Sequence, residues 1–310
     1  MSLPEILTVG RVSVDLYPEQ VGVPLAEVRT FRKMLGGSPT NVAVAAARLG
    51  RRSAVVTRVG DDPFGAYVRQ ALTAFGVDAS HVGTHPTLRT PLAFCEIFPP
   101  DRFPLLFYRE PSAPDLELEI DNEAAASVDL LWTTGTGLSR QPSRARTRAA
   151  LEARGRKRFT VHDLDYRPMF WASAEQAGHW NREALAHATV AVGNAGEVAV
   201  ALGEELDPAD AAAALLSLGL ELAVVKLGHE GVLAATPAET VRVPAVEVEV
   251  VNGLGAGDAF GGALCHGLLS EWPLERTLRF ANAAGALVAG RLGCSDDMPT
   301  AEEVEALCAA

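Results

Sequence analysis

Short apolar runs alternate with Ala-rich amphipathic runs along most of the chain. "EILTVGRVSVD" (5–15), "SAVVTRVG" (53–60), "VDLLWTTG" (128–135), "RFTVHDLD" (158–165), "TVAVGN" (189–194) and "LAVVKLG" (222–228) are rich in Val and Leu. Several are nearly continuous, the pattern of strands buried on both faces. Helical patterns fall between and after them at 39–49, 63–75, 142–154, 196–203, 208–218, 257–270 and 273–290. This rhythm predicts an α/β fold, a mostly parallel central sheet flanked by helices.

Two stretches break the rhythm, about 17–35 and about 92–109. In the second, "LAFCEIFPPDRFPLLFYRE" reads as two strands joined by the turn "PPDR". Neither stretch holds a helix, so both are expected to leave the main sheet as a small β-sheet lid on a single domain spanning 1–310. The lid carries Phe94, Ile97, Phe98, Leu105 and Phe107. An apolar sheet face left wet usually finds a partner. The expectation is a homodimer through the lid; the alternative is a lid folded down on its own domain.

The 310 residues are 48% hydrophobic with a net charge of -12. Such acidity argues against nucleic acid, which rewards excess Lys and Arg. The most apolar long stretch, "AAALLSLGLELAVV", is interrupted by Ser217, Gly219 and Glu221, so no membrane span is expected. Cys95, Cys265, Cys294 and Cys308 lie far apart without a C-x-x-C pair, which excludes zinc spacing and a disulfide framework. With no signal peptide read in "MSLPEILTVG", a cytoplasmic location is expected. Residues 140–158 hold seven Arg and one Lys, read as a solvated helix face rather than a binding patch.

Candidate chemistry sits in two glycine clusters. "VNGLGAGDAFGG" (251–262) follows the β-rich run "TVRVPAVEVEVV" and enters a helical pattern. Glycines there let backbone N–H groups approach an anion, and a helix N-terminus adds partial positive charge. Asp258 then faces the same pocket, either as a base for a hydroxyl attacking phosphorus or as a helix cap. In "LGGSPTNVAVAAARLG", Gly36 and Gly37 precede Ser38 as N-cap and Pro39 at the first helical position. Asn41 lies in the first turn, within reach of a hydroxylated ligand. A P-loop is excluded because the chain has no Gly-Lys pair, and the first strand lacks G-x-G-x-x-G.

Together, "GGSPTNVAVAAARLG" and "GAGDAF" resemble the paired signatures of the ribokinase-like (pfkB-type) carbohydrate kinases. Asp15 in "GRVSVDLY" resembles the family's early substrate-binding acid. Asn194 and Glu197 in "NAGE" resemble its N-x-x-E motif, and "KLGHEG", with Lys226, Gly228 and Gly231, resembles the strand and turn beside the nucleotide. The resemblance implies transfer of the ATP γ-phosphoryl group to a sugar hydroxyl. Asp258 would be the base, and the N–H groups of Gly255, Ala256 and Gly257 the anion hole. Asp15, Gly36, Gly37 and Asn41 would hold the sugar, and Asn194 and Glu197 would help place Mg2+, Glu197 through water. The family commonly has D-T-x-G-A-G-D where this chain has Asn252 and Gly253, which puts a monovalent cation in doubt.

"DLDYRPMFW" (163–171) is similar to a segment of family members that act on sugar acids. Arg167 there would clamp a carboxylate, hold an ATP phosphate, or pair with Asp163 or Asp165. Arg109, ending the lid hairpin, would reach over the sugar or stand exposed. The acceptor expected from the resemblance is a keto-deoxy sugar acid, with a neutral ketose as the runner-up and a non-catalytic sugar-binding regulator as a remote third.

Overall fold

Gly10 divides the first apolar run in two. Its φ of +140° lets the chain leave β1 (Ile6–Val9) and restart as β2 (Ser13–Pro18) in a different sheet. "EILTVGRVSVD" is therefore two strands, and the lid begins at Ser13 rather than near Tyr17. The computed structural model describes residues 3–309.

The lid sheet has the order β3-β2-β6-β7, with β3 (Phe31–Gly36), β6 (Leu92–Cys95) and β7 (Leu105–Tyr108). The main sheet contains β1, β4 (Ser53–Gly60), β5 (Val82–His85), β8 (Leu130–Thr134), β9 (Thr160–Asp163), β10 (Val190–Asn194), β11 (Leu222–Lys226), β12 (Val232–Ala235) and β13 (Thr240–Val243). Its order is β13-β12-β11-β10-β9-β8-β1-β4-β5, parallel from β11 to β5, with β12 and β13 antiparallel at one edge. The chain thus has the α/β architecture expected, a mostly parallel sheet with a small separate one.

Helices cover the main sheet: α1 (Ser38–Arg48), α2 (Pro63–Ala74), α3 (Asn122–Ser127), α4 (Ser143–Arg154) and α5 (Ala174–Leu185) in the first part. They are followed by α6 (Ala195–Leu202), α7 (Pro208–Ser217), α8 (Ala256–Leu269), α9 (Leu274–Ala289) and α10 (Ala301–Cys308). The Ala-rich patterns locate their helices to within about two residues. α5 escapes that pattern because "AEQAGHWNREAL" is mixed. Its signal is the N-cap, where Ser173 Oγ accepts from the Gln176 N–H at 3.2 Å. "TVRVPAVEVEVV" is a strand only as far as Val243, since Pro244 cannot continue the ladder. Residues 244–250 run on as irregular chain.

α1 and α8 lie side by side over the core. A Cβ on Gly262 would come within 2.4 Å of Ala45 Cβ, and one on Gly261 within 2.9 Å of the buried Trp132 ring. These two glycines serve helix contact, not anion binding. No helix among the described residues is long and apolar enough to cross a membrane.

The arginines of 140–158 are mostly spent internally. Arg146 donates to the carbonyls of Glu117 and Leu118, and Arg156 to those of Ala186 and Gly219. Arg144 stacks over Trp180, and Arg154 is buried. The segment is structural, though less a solvated face than its charge suggests. On the lid, Ile97 is fully buried and Phe94, Phe98, Leu105 and Phe107 are half-buried. The open apolar residues are instead Val21, Leu106 and Tyr108, at 45%, 48% and 60% exposure.

Candidate active site

The α1–α8 contact joins the two glycine clusters. Asn41, in the first turn of α1, donates from Nδ2 to Asp258 Oδ2 at 2.8 Å. Ser295 Oγ in turn lies 2.8 Å from Asn41 Oδ1 and fixes the amide's orientation. Asn41 therefore holds the acid. Gly37, not Ser38, is the N-cap of α1, so the Ser38 hydroxyl is free to turn toward Asp258.

Gly255 caps α8 with φ +85°, and a Cβ there would strike Cys294 Sγ at 2.2 Å. The Asp258 carboxylate accepts from the Asn41 amide on α1, not from an N–H at the start of its own helix, which disfavours the helix-cap reading. The Asp258 N–H is taken by the Gly255 carbonyl at 3.0 Å. The N–H groups of Gly255, Ala256 and Gly257 donate to no group among the described residues. Burial pushes the Asp258 carboxyl above its ordinary range. Hydrogen bonds from Asn41 and Ser38 oppose that shift, Asp165 adds to it, and Arg167 opposes it.

On the lid side, Asp15 of β2 pairs across from β3. A Cβ on Gly36 would fall 2.1 Å from its carboxyl carbon, so glycine makes room for the acid. Ser13 Oγ donates to Asp15 Oδ1 at 2.5 Å. Burial nonetheless raises Asp15 to about 6, against that hydrogen bond and Arg11, with Asp258 adding to the rise. A Cβ on Gly37 would meet the Arg11 carbonyl at 2.3 Å.

A cavity of about 1210 Å³ opens beside Ala256 and Gly257, next to Asp258 in the chain. Lys226, Gly228 and Gly231 line one wall, and Gly253, Ala256 and Gly257 another. The irregular chain supplies Val246, Val248 and Val250 as an apolar wall, and Pro100 and Asp101 of the lid reach its rim. Lys226 Nζ lies 3.4 Å from where a Gly257 Cβ would be, beside the unpaired N–H groups. Burial would lower its pKa, but Asp163, Glu197, Asp258 and Asp165 outweigh that and raise it.

Asn194 lies in register with Lys226 on the neighbouring strand. It forms a reciprocal cap with Glu197, at 2.8 and 2.9 Å, so the motif starts α6. Arg167 pairs with Asp165 at 3.3 Å and lies 3.8 Å from Glu197. Arg109 is not exposed: it clamps Asp115 with two hydrogen bonds, at 2.9 and 3.3 Å. Asn252 accepts from the Leu254 N–H of its own turn at 3.1 Å and donates to the distant Leu292 carbonyl at 2.8 Å. No group of three or more His, Cys, Asp or Glu side chains among the described residues is arranged to hold a metal.

Asp258, Asn41, Asp15, Lys226, Glu197 and Arg167 thus converge from distant segments. Arg11, adjoining them, escaped the sequence reading; its signal was a lone charge between a glycine and an apolar strand.

Comparison with known proteins identifies the family. The profile of the pfkB family carbohydrate kinases matches residues 3–301. The 5-dehydro-2-deoxygluconokinase of Geobacillus kaustophilus (strain HTA426) is 34% identical over 310 residues, covering 97% of this chain and 92% of its own. That of Shouchella clausii (strain KSM-K16) is 33% identical, covering 98% and 95%. The crystal structure of fructokinase with bound ATP from Xylella fastidiosa superposes with a TM-score of 0.84 at 26% identity, covering 98% of each chain. The chain belongs to the pfkB family of carbohydrate kinases.

Proposed function

We propose that this kinase transfers the γ-phosphoryl group of ATP to a hydroxyl of a keto-deoxy sugar acid, 5-dehydro-2-deoxygluconate, in the cytoplasm. One observation carries the reaction type: a carboxylate held by Asn41 stands beside three unpaired N–H donors and the Lys226 ammonium, at the edge of a large cavity. The substrate rests on the full-length relatives of that name and on Arg11, Arg109 and Arg167 around the sugar end.

Asp258 accepts the proton of the attacking hydroxyl as its oxygen bonds to phosphorus, and the bond to the ADP oxygen breaks. The N–H groups of Gly255, Ala256 and Gly257, with Lys226, take up the charge on the transferring group. Asp15 orients the sugar hydroxyls from the lid side, with Gly36 and Gly37 leaving room. Gly228 and Gly231 border the nucleotide. Glu197 and Asn194 are oxygen donors suited to Mg2+, whose charge when bound would neutralise the β- and γ-phosphates. With no three-ligand cluster among the described residues, Glu197 would reach it through water. Asn252 Oδ1 already accepts from the Leu254 N–H and its Nδ2 donates to the Leu292 carbonyl, and no monovalent cation is assigned a place.

Leu106 and Tyr108 on the outer lid face are the contact for a second copy, giving a homodimer through the lid. Light scattering should give twice the chain mass, and Tyr108→Asp should halve it; a monomeric wild type would refute the dimer.

A further inference from the structure

The arginines near the sugar end are not equally spent. Arg109 holds Asp115 in a two-bond clamp, and Arg167 holds Asp165. Arg11 is 8% exposed, and its Nε is buried with no hydrogen-bond partner. Among the described residues its guanidinium makes no ion pair. It lies over two aromatic rings, 5.4 Å from Phe107 of the lid and 5.7 Å from Phe170 of the main domain, which are themselves 5.0 Å apart.

Such contacts return far less than it costs to take a guanidinium out of water. Burial is the largest influence on Arg11 and disfavours its charge. Asp165 and Asp15 favour the charge from a distance, while Arg109 and Arg167 oppose it. Buried Arg154, by contrast, donates to six oxygens, the sixth at 3.5 Å. The backbone at Arg11 is also fixed on both sides. Its carbonyl accepts from Thr40 Oγ1 at 3.0 Å, and the next N–H, of Val12, donates to Asp115, the carboxylate that clamps Arg109. A cation held rigidly, dry and unpaired is preorganised for an anion. Asp15 neighbours both Arg11 and Asp258, so an acceptor lying along Asp15 would reach from one to the other.

We propose that Arg11 receives the acceptor's carboxylate, with Phe107 and Phe170 keeping water from the pair, and so sets the preference for a sugar acid over a neutral sugar. This rests on the sugar-acid reading above. The test uses full-length Arg11→Met and Arg11→Lys with 5-dehydro-2-deoxygluconate, with fructose as the neutral probe. Losing a desolvated charge pair should raise the KM for the acid, and its Kd by calorimetry without ATP, by about a hundredfold in Arg11→Met. The KM for ATP should stay within about twofold, since uniform binding is lost at one end of the site alone. Arg11→Lys, which keeps the charge but not the fork, should fall between. The melting temperature of ligand-free Arg11→Met should not drop, because no internal bond is lost.

An unchanged affinity for the acid in Arg11→Met would overturn the assignment while leaving the sugar-acid reading intact. A lowered melting temperature with both substrates weakened would make Arg11 structural and also overturn it. A wild type that prefers fructose would overturn the sugar-acid reading first, and this proposal with it.

Discussion

Asp258→Asn should lower kcat by about 10²- to 10⁴-fold while leaving the Kd for ATP and sugar nearly unchanged, the range expected for loss of a positioned base. The substitution keeps shape and can still meet Asn41, so folding should be unaffected. The wild-type pH profile belongs to the same prediction. Burial raises both Asp15 and Asp258, Asp15 to about 6. Asp258 takes a proton only when ionised, and the ionised form of Asp15 dominates above about 6, so kcat/KM for the sugar should fall as the pH drops through about 6. For stability the sign is opposite: an acid raised by burial favours the fold when protonated, so its contribution is lost as the pH rises through about 6. Near-normal turnover in Asp258→Asn would remove it as the base.

Arg154→Met should cost about 3–5 kcal/mol of stability, the usual loss on breaking a buried charged network. Arg154 is 2% exposed and donates to the carbonyls of Ala125, Val128, Asp129 and Arg158 and to Thr160 Oγ1, at 2.7–3.0 Å. It ties α3, the turn after α4 and β9 together. Burial lowers its pKa to about 10, still charged at neutral pH. Methionine fills the space but leaves those oxygens buried and unpaired. The nearby Arg158→Ala is the control, since its pair with Glu271 is exposed and worth under about 1 kcal/mol. The urea midpoint should fall sharply for the first and barely for the second. Equal midpoints would show that the Arg154 network is not stabilising.

The layered architecture was legible because strands buried on both faces must be continuously apolar and their covering helices Ala-rich. The limits were local. Gly10 reads as part of an apolar run until its φ is known, and Val246, Val248 and Val250 alternate like a strand although they line a cavity. Of the site, Asp258 and the glycines stood out through their local pattern. The Asn41–Asp258 bond did not, because sequence spacing carries no information about which helices touch. Arg109 and Arg167 drew attention as charges in suggestive motifs, yet each is already paired. Arg11 gave little signal, since its distinction is the lack of a partner, a property of the packed structure alone.

The most direct measurement is ADP release at fixed Mg-ATP with 5-dehydro-2-deoxygluconate, 2-keto-3-deoxygluconate and fructose, compared as kcat/KM. The account predicts the highest value for 5-dehydro-2-deoxygluconate, with fructose at least about tenfold lower, the factor that each 1.4 kcal/mol of lost charge pairing brings. A higher value for fructose, or no turnover with either acid, would contradict it.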